Sequence, residues 1–395
     1  MGNANSIINE NTVPETSNKL KFRDLSISSF VEKLSGRTFT SNSIRSTYSV
    51  SRPWSRVSRK GWRESTLTDP FESIKTAWPV PFIESLFLPD FKINFTDEHK
   101  YEVLYLISKG AYGKVYKVLK RGTEEIYAMK VLSKSQIIHE NCINQVKDEV
   151  KIQTMCGHHP FIADAPQYWQ NRRKLFIVNT YVEGGDMLNL TNMYGSLPQD
   201  ICQIYIAELA LALDFLHNAG VIYRDLKPEN ILLDANGHAV LIDFGLSKWL
   251  KYGNKTKTIC GTLQYIAPEV FSMEGYGHAV DWWSLGVLAT YLLTSEYPCS
   301  GNTSTPGKLE DVGLSVAARD LIGRLLQPDP TKRLRSLLTL KTIPFFMGFN
   351  FDHARAKKIH PKNLFEMSFP DGPKIEMNTS NVLFLDFDQM IPTLV

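Results

Sequence analysis

The sequence is poor in the features that mark secreted, metal-binding and membrane-spanning proteins. Its 395 residues include only five cysteines, which are widely scattered and have no metal-ligand spacing. This pattern argues against a disulfide framework and favours reduced core thiols, as in a cytoplasmic protein. The longest strongly apolar stretch, Leu285 to Leu293, is too short to cross a bilayer, and no secretory signal opens the chain. We therefore expect any membrane contact to be peripheral.

The chain also lacks a large excess of charge of either sign. Its 44 basic and 41 acidic residues leave a net charge of +3, which gives no indication of a nucleic-acid partner. With 43% hydrophobic and 22% charged residues, the composition is that of an ordinary soluble protein. The length suits one two-lobed domain with tails.

The N-terminal region divides into two parts of different composition. Residues 1–70 are rich in Ser, Thr, Asn and Arg and lack apolar periodicity, which predicts a disordered, basic tail. Residues 71–97 form an apolar linker in which Pro79, Pro81 and Pro89 argue against one continuous helix. We expect this linker to lie extended or in short turns on the domain that follows, or on a partner.

From Tyr101 onward the sequence predicts a two-lobed α+β fold around a cleft. Short apolar strands separated by glycine-containing turns come first, with one helical stretch through Glu149 before the last of them. After Gly184 the apolar residues recur three and four apart, as in helices. The predicted strands are 101–108, 114–119, 126–132 and 175–180, and the later helices are 201–217, 279–294 and 315–326. The predicted boundaries are a β-rich small lobe at 98–183, an α-rich large lobe at 184–346 and a C-terminal tail at 347–395.

The densest group of candidate site residues lies in one short stretch of the large lobe. Its sequence is Tyr223-Arg224-Asp225-Leu226-Lys227-Pro228-Glu229-Asn230, followed by Asp243-Phe244-Gly245. Asp225 is a candidate base, and Lys227 supplies positive charge two residues later. Asn230 and Asp243 offer the oxygen ligands that Mg²⁺ prefers. The group predicts transfer of a phosphoryl group from ATP to a hydroxyl.

A second group lies in the predicted small lobe. The turn Ser108-Lys109-Gly110-Ala111-Tyr112-Gly113-Lys114-Val115 contains glycines that let backbone amides approach a polyphosphate, although glycine-containing hairpins are also common structural elements. Lys130 ends the third predicted strand, where it needs a fixed anion to hold it inward. We expect Glu149 on the following helix to be that anion, with the adjacent Asp148 as the alternative.

Taken together, these motifs resemble the eukaryotic protein kinases over residues 101 to about 346. Three further matches are Ala267-Pro268-Glu269, Asp281-Trp282-Trp283-Ser284-Leu285-Gly286 and Arg333. Tyr223 in place of the usual His, with Thr258-Ile259-Cys260-Gly261-Thr262, resembles the AGC group. Within that group the sequence is most similar to the ribosomal protein S-six kinase-related proteins.

The resemblance implies a serine/threonine protein kinase that uses ATP and Mg²⁺. Asp225 would orient the acceptor hydroxyl and take its proton, and Lys227 would neutralise charge on the γ-phosphate. Thr262 would contact both, which favours Ser or Thr as acceptor. Asn230 and Asp243 would hold Mg²⁺. The nucleotide-binding residues that the resemblance implies are Ile107, Ser108, Lys109, Gly110, Ala111, Tyr112, Gly113, Lys114, Val115, Lys130, Glu149 and Val182.

The resemblance also implies a switch and a substrate preference. Thr258 matches the activation-loop phosphosite, which an upstream kinase would modify, and Arg224 and Lys248 match residues that receive the phosphate. An unmodified threonine in a polar loop is the alternative. Asp186 and Glu229 match carboxylates that bind a substrate arginine before the acceptor. Solvated acidic side chains are the alternative there.

The C-terminal tail resembles the hydrophobic motif of the AGC group. Phe384 and Phe387 would dock in a small-lobe groove beside the helix that carries Glu149, and Asp388 would mimic a phosphorylated residue. An ordinary apolar tail strand is the alternative. The tail and the linker before the domain could equally be autoinhibitory.

The first six residues fit the myristoylation pattern, with Gly2 as the acceptor. One acyl chain gives only marginal membrane binding, so a second signal is needed. The basic cluster between Arg52 and Arg63 supplies one on an anionic membrane surface. A docking or phosphorylatable segment is the alternative reading of that cluster.

Several positions depart from the family pattern. Ser108 replaces a glycine, Leu263-Gln264 replaces Pro-Glu, and Asn179 lies at the predicted back of the adenine pocket. Residues 298–314 are fewer than in typical members. None of these changes removes a phosphate or metal ligand, so an active kinase is favoured. The rival hypotheses are a catalytically weak pseudokinase scaffold tethered to a membrane, and an adaptor that acts through its N-terminal tail.

Overall fold

The computed structural model describes residues 82–94, 96–110, 113–251, 253–272, 274–298, 313–370 and 372. Several predicted site residues lie outside the described part: Gly2, Ala111, Tyr112, Phe384, Phe387 and Asp388.

The small lobe is built on one six-stranded sheet with the strand order β1-β5-β6-β4-β3-β2. Its strands are β1 Lys92–Ile93, β2 Tyr101–Lys109, β3 Gly113–Lys120, β4 Ile126–Ser133, β5 Gln167–Gln170 and β6 Lys174–Thr180. The helices of this part are α1 Phe82–Ser85, α2 Lys134–His139 and α3 Ile143–Cys156. β1 pairs with β5 in parallel, and the other neighbours in the sheet are antiparallel.

Two apolar clusters cover this sheet. In one, Trp169 stacks between Tyr101 and Phe176 with ring centroids 5.9 and 5.0 Å apart. The other packs against α3 and includes Val146 and Val150. Gly113, the first residue of β3, has no room for a side chain, because a Cβ there would lie 2.1 Å from the carbonyl oxygen of Val131.

The large lobe is mainly helical. Its helices are α4 Met187–Tyr194, α5 Gln199–Asn218, α6 Pro268–Phe271, α7 Ala279–Thr294, α8 Val316–Leu325, α9 Leu337–Leu340, α10 Phe351–Arg355 and α11 Pro361–Ser368. Its strands are β7 Val221–Ile222, β8 Ile231–Leu233, β9 Ala239–Leu241 and β10 Lys248–Trp249. These short strands form the antiparallel pairs β7–β10 and β8–β9, which frame the loops of the candidate site.

The core of the large lobe lies around α5 and α7. Trp282 and Trp283 of α7 are almost fully buried, so this helix is enclosed by protein along most of its length. A buried polar pair ties α5 to the residue just before β9, since Nδ1 of His238 lies 2.6 Å from Oε1 of Glu208 and neither residue is exposed. Within the described ranges, no helix combines the length and apolarity that crossing a bilayer requires.

The α+β bilobal fold predicted from the sequence is confirmed, and most predicted elements are present within one or two residues of their expected bounds. Two short strands at one side of the sheet, β1 and β5, were not predicted from the sequence. In the linker, residues 82–94 pack on the small lobe, with Phe87 and Phe91 completely buried.

Candidate active site

The cleft contains an ion pair that joins β4 to α3. Nζ of Lys130 lies 2.6 Å from Oε1 of Glu149 and 3.1 Å from Oδ1 of Asp243. Of the two carboxylates considered as partners for Lys130, the structure therefore selects Glu149 over Asp148. A further contact fixes the same helix, because Nε2 of Gln145 donates to the carbonyl oxygen of Gly245 at 2.5 Å.

Lys130 and Asp243 stabilise each other's ionised forms, whereas burial, together with the charge of Asp243, raises the pKa of Glu149 despite the nearby lysine. Burial opposes the charge on Lys130, but the carboxylates of Asp243 and Glu149 outweigh it and raise the pKa of the lysine. The positive charge of Lys130 in turn holds the pKa of Asp243 below its usual value. Asp243 is thus an anionic oxygen donor at neutral pH, and Lys130 is a fixed cation beside it.

A second connected group links the base candidate Asp225 to Thr262, in the loop that follows Thr258. Oγ1 of Thr262 donates to Oδ1 of Asp225 at 3.1 Å and accepts from Nζ of Lys227 at 3.0 Å. Lys227 also lies 3.1 Å from Oδ2 of Asp225. The threonine therefore fixes both the carboxylate and the ammonium group, as the family resemblance implied.

Asp281 of α7 fixes the backbone just before Asp225. The fully buried carboxylate of Asp281 accepts hydrogen bonds from the backbone N–H groups of Tyr223 at 2.9 Å and Arg224 at 2.8 Å. His217 of α5 contacts the same carboxylate at 2.7 Å. Arg224 has a φ of +70°, a conformation that costs a non-glycine residue on the order of 1 kcal/mol. The hydrogen bonds to Asp281 hold this strained backbone in place.

This anchoring role of Asp281 was not predicted from the sequence. The sequence does contain a signal for this role, because Asp281 is an acidic residue in the first turn of an otherwise apolar helix. An unpaired buried carboxylate is costly, so such a residue predicts a partner. The partners are 57 and 58 residues away in the chain, and only the fold identifies them.

Asn230 and Asp243 fit the requirements of Mg²⁺. Nδ2 of Asn230 makes hydrogen bonds of 2.9 Å to the backbone oxygen and 2.7 Å to Oδ2 of Asp225, so the amide oxygen is the atom left to bind a cation. The side chain of Asp243 is 48% exposed and accessible from the cleft. The described residues contain no cluster of three or more His, Cys, Asp or Glu side chains arranged for a metal. Two oxygen donors agree with Mg²⁺, which usually takes few protein ligands and completes its shell with water and phosphate.

The nucleotide side of the cleft is lined by the β2–β3 hairpin and β6. Gly110 N–H donates to the carbonyl oxygen of Gly113 at 2.9 Å, closing the turn, and Ser108 pairs with Val115. Ile107 is half-buried and Val182 is buried. Asn179 pairs with Ala128 across β4 and β6, and its buried Oδ1 has no hydrogen-bond partner among the described residues.

The segment around Thr258 is exposed but fixed at several points. The backbone oxygen of Thr258 accepts from the Tyr276 hydroxyl at 2.5 Å, and that hydroxyl also accepts from Nη1 of Arg224 at 3.3 Å. Nζ of Lys248 donates to Oγ1 of Thr256 at 3.1 Å. Both predicted phosphate-binding cations thus reach the segment that carries Thr258, through Tyr276 and Thr256.

The two carboxylates expected to read the substrate lie close to each other near the catalytic loop. Asp186 caps α4, accepting from the backbone N–H of Asn189 at 2.7 Å. Burial raises the pKa of Asp186, and the negative charge of the exposed Glu229 adds to this effect. A pair of neighbouring carboxylates favours a cation between them.

Comparison with known proteins agrees with this geometry. The family model described as protein kinase domain matches residues 101–346. The human ribosomal protein S6 kinase-related protein is 38% identical over 321 residues, which cover 79% of this chain and 77% of that protein. A serine/threonine-protein kinase of Arabidopsis thaliana is 36% identical, covering 66% of this chain and 58% of its own length. A RAC family serine/threonine-protein kinase homolog of Dictyostelium discoideum is 39% identical, covering 66% of this chain and 61% of its own length. The chain therefore belongs to the protein kinase family and, within it, to the AGC group of serine/threonine kinases, whose phosphoryl donor is ATP and whose metal cofactor is Mg²⁺.

Proposed function

We propose that the protein transfers the γ-phosphoryl group of ATP to Ser or Thr residues of other proteins, with each role carried by the residues described above. Asp225 orients the acceptor hydroxyl and accepts its proton, and Lys227 offsets negative charge on the transferred group. Lys130, held by Glu149, binds the α- and β-phosphates. The observation that carries this proposal is the hydrogen-bonded unit of Asp225, Thr262 and Lys227, whose contacts are all between 3.0 and 3.1 Å.

The proposed chemistry depends on position and charge more than on unusual acid–base strength. The transition state of phosphoryl transfer is loose, so aligning the hydroxyl and neutralising the phosphate oxygens supply most of the acceleration. When bound by Asn230 and Asp243, Mg²⁺ adds positive charge at the phosphates. The pseudokinase alternative has no support, because the residues of the site are present and connected and the relatives are named as kinases.

A preference for basic substrates is supported by the two neighbouring carboxylates. Asp186 and Glu229 would together bind an arginine of the substrate that precedes the acceptor residue. A guanidinium group makes two parallel hydrogen bonds to a carboxylate, which gives both affinity and direction. Because Glu229 is exposed, it is available to a peptide that lies along the cleft.

Control by an upstream kinase is supported by the surroundings of Thr258. A phosphate on this exposed residue would add about −1.5 to −2 charges within a region that already contains Arg224 and Lys248. The new ion pairs would order the segment that ends at Thr262, and with it the Asp225 unit.

Peripheral membrane attachment is supported by sequence alone. Acylation at Gly2 and the basic residues between Arg52 and Arg63 would act as two weak signals that together give stable binding. The test is binding of the acylated full-length protein to vesicles with anionic lipid, compared with Gly2→Ala. Equal binding of the two proteins would contradict attachment through the acyl chain.

The test of the main proposal is phosphate transfer from Mg-ATP to a library of Ser/Thr peptides with arginine at varied positions. Asp243→Ala should abolish transfer, whereas Asp320→Asn, which alters only an exposed ion pair with Arg324, should leave it unchanged. Selection of peptides with arginine before the acceptor would support the roles of Asp186 and Glu229. Absence of transfer by the wild-type protein, even with Thr258 stoichiometrically phosphorylated, would contradict the proposal.

A further inference from the structure

Residues 82–94, hereafter segment 82–94, pack against the outer side of α3, the helix that carries Glu149. Phe87 and Phe91 are both 0% exposed. They belong to the same apolar cluster as Val146 and Val150 of α3, which Leu132, Leu175 and Ile177 complete from the sheet. The segment precedes the region matched by the family model, yet its aromatic side chains form part of the small-lobe core.

Charge complementarity adds to the apolar contact. Oδ1 of Asp90 lies 3.0 Å from Nζ of Lys151, and Oδ2 lies 3.4 Å from Nζ of Lys147. Lys147 also donates to the carbonyl oxygen of Leu88 at 3.1 Å. The two lysines are one turn apart on α3 and would repel each other, so an anion between them stabilises the helix in this position. The Asp90 side chain is only 10% exposed, which limits screening by solvent.

Backbone contacts fix both ends of the segment. Nε2 of Gln170 donates to the carbonyl oxygens of Glu84 at 3.2 Å and Phe91 at 2.6 Å. Beyond Phe91, Lys92 and Ile93 extend the small-lobe sheet by pairing with β5. The segment is therefore anchored to the sheet while its side chains press on α3.

The opposite side of α3 faces the reaction centre. Gln145 and Glu149, four residues apart on one face, contact Gly245 and Lys130. Val146 and Val150, together with Lys147 and Lys151, lie on the faces that meet segment 82–94. Because α3 is one continuous helix, contacts on its outer side help to set where Glu149 lies on its inner side.

We propose that segment 82–94 is a positioning element that holds α3 in the catalytically competent place, with Phe87 and Phe91 as apolar anchors and Asp90 as a permanent anionic anchor. This role rests on the proposed kinase function, because it acts through the pairing of Glu149 with Lys130. The sequence predicted that Phe384 and Phe387 dock in a small-lobe groove beside α3, and the apolar cluster found beside α3 contains Phe87 and Phe91. Segment 82–94 lies before the kinase domain in the chain, and the carboxylate of Asp90 supplies its negative charge without phosphorylation.

The first test removes the anionic anchor without disturbing the core. Asp90→Asn should lower kcat/KM for peptide phosphorylation by roughly 10- to 100-fold, the size of effect expected when a catalytic group is misplaced by about 1 Å. Asp320→Asn, which removes an exposed carboxylate from an ion pair elsewhere, is the matched control and should change kcat/KM less than about twofold. Asp90→Glu, which keeps a negative charge beside Lys147 and Lys151, should retain most of the activity. No loss in Asp90→Asn would overturn the anionic anchor.

The second test addresses the apolar anchors and separates positioning from simple stabilisation. Phe87→Ala should lower kcat/KM at a temperature where thermal unfolding shows the variant to be folded, whereas Phe82→Ala in the same segment should not, since Phe82 is 76% exposed. In a Glu149→Gln background, Asp90→Asn should still lower the Tm but should cause no further fall in kcat/KM. If Asp90→Asn lowered kcat/KM in the Glu149→Gln background by the same factor as in the wild-type protein, the proposal would be overturned. An inactive wild-type protein would instead refute the kinase function, so the two failures are distinguishable.

Discussion

Arg333 and Glu269 form a bidentate ion pair in the large lobe. Nη1 and Nη2 of the arginine lie 2.6 and 2.9 Å from the two carboxylate oxygens of Glu269. The arginine side chain is fully buried, and its guanidinium lies 5.1 Å from the ring of Trp283. The pair joins α6, which follows the loop carrying Thr258 and Thr262, to the large-lobe core around Trp283 of α7.

Removing the charge of Glu269 should lower the free energy of unfolding. Glu269→Gln leaves the buried charge of Arg333 without its partner, which typically destabilises a protein by about 3–5 kcal/mol. Chemical denaturation gives the free energy of unfolding. Asp320→Asn, which weakens the exposed pair between Asp320 and Arg324, should cost less than about 1 kcal/mol. Equal losses in the two variants would mean that burial of Arg333 does not matter.

The bridging hydroxyl of Thr262 should matter for the rate more than for stability. Thr262→Val keeps the shape of the side chain but removes the contacts of about 3 Å to Asp225 and Lys227. A fall in kcat of about fivefold is expected from the loss of roughly 1 kcal/mol of hydrogen bonding. Thr262→Ser retains the hydroxyl and serves as the control in steady-state kinetics. A valine variant as active as the serine variant would contradict the role assigned to this oxygen.

The buried His159 should make stability depend on pH. Burial lowers the pKa of His159 to about 4, and the nearby Arg355, His158 and Lys357 add to the shift. Because the unfolded chain binds a proton at this residue below about pH 6.5 and the folded chain does not until about pH 4, stability falls as the pH falls through that window. The full loss amounts to about 3 kcal/mol.

Denaturant unfolding at pH 7.5, 6, 5 and 4.5 would measure this dependence as a difference between variants. His159→Phe should lose about 3 kcal/mol less than the wild-type protein over the acidic range. His139→Gln changes a histidine whose side chain is 84% exposed and should follow the wild-type curve. Parallel curves for all three proteins would show that His159 is already protonated in the folded state or relaxes on protonation.

Substrate selection can be separated from the structural role of Asp186. Asp186→Asn keeps the helix cap, since asparagine caps helices as well as aspartate does, but removes the charge. We expect kcat/KM to fall about tenfold for a peptide with arginine before the acceptor, because a charge-assisted hydrogen bond contributes roughly 1.5–3 kcal/mol. The matched peptide with alanine in place of arginine should react equally well with both enzymes. A similar loss for both peptides would contradict arginine recognition.

Local patterns in the sequence predicted most of the elements that build the site. In β2, β3 and β4, short apolar stretches lie between clear turn signals. In α5 and α7, apolar residues recur along the whole helix. β5 escaped prediction because Gln167 and Gln170 end a four-residue strand and obscure its apolar character. A strand this short is specified by its neighbours in the sheet rather than by its own pattern.

Residues of the site were predictable where the motif itself carries the chemistry, as with Asp225 and Asp243. Contacts that join distant parts of the chain were not. The sequence offered Glu149 and Asp148 as partners for Lys130, and only the orientation of α3 decides between them. For Phe87 and Phe91, three prolines nearby indicated an irregular linker, while the surface that buries these rings is created by α3 and the sheet together.

The parallel strand β1 has a consequence for where this protein can be cut. Lys92 and Ile93 cover the backbone of Trp169 and Gln170, and Asn94 N–H adds a bond of 3.1 Å to Gln170. A chain that begins at Tyr101, where the family match begins, would leave β5 as an open edge beside an uncovered apolar surface. Open edges pair with other chains, so we expect such a fragment to self-associate. We therefore expect the smallest soluble unit to begin near Phe82, before the first residue matched by the family model.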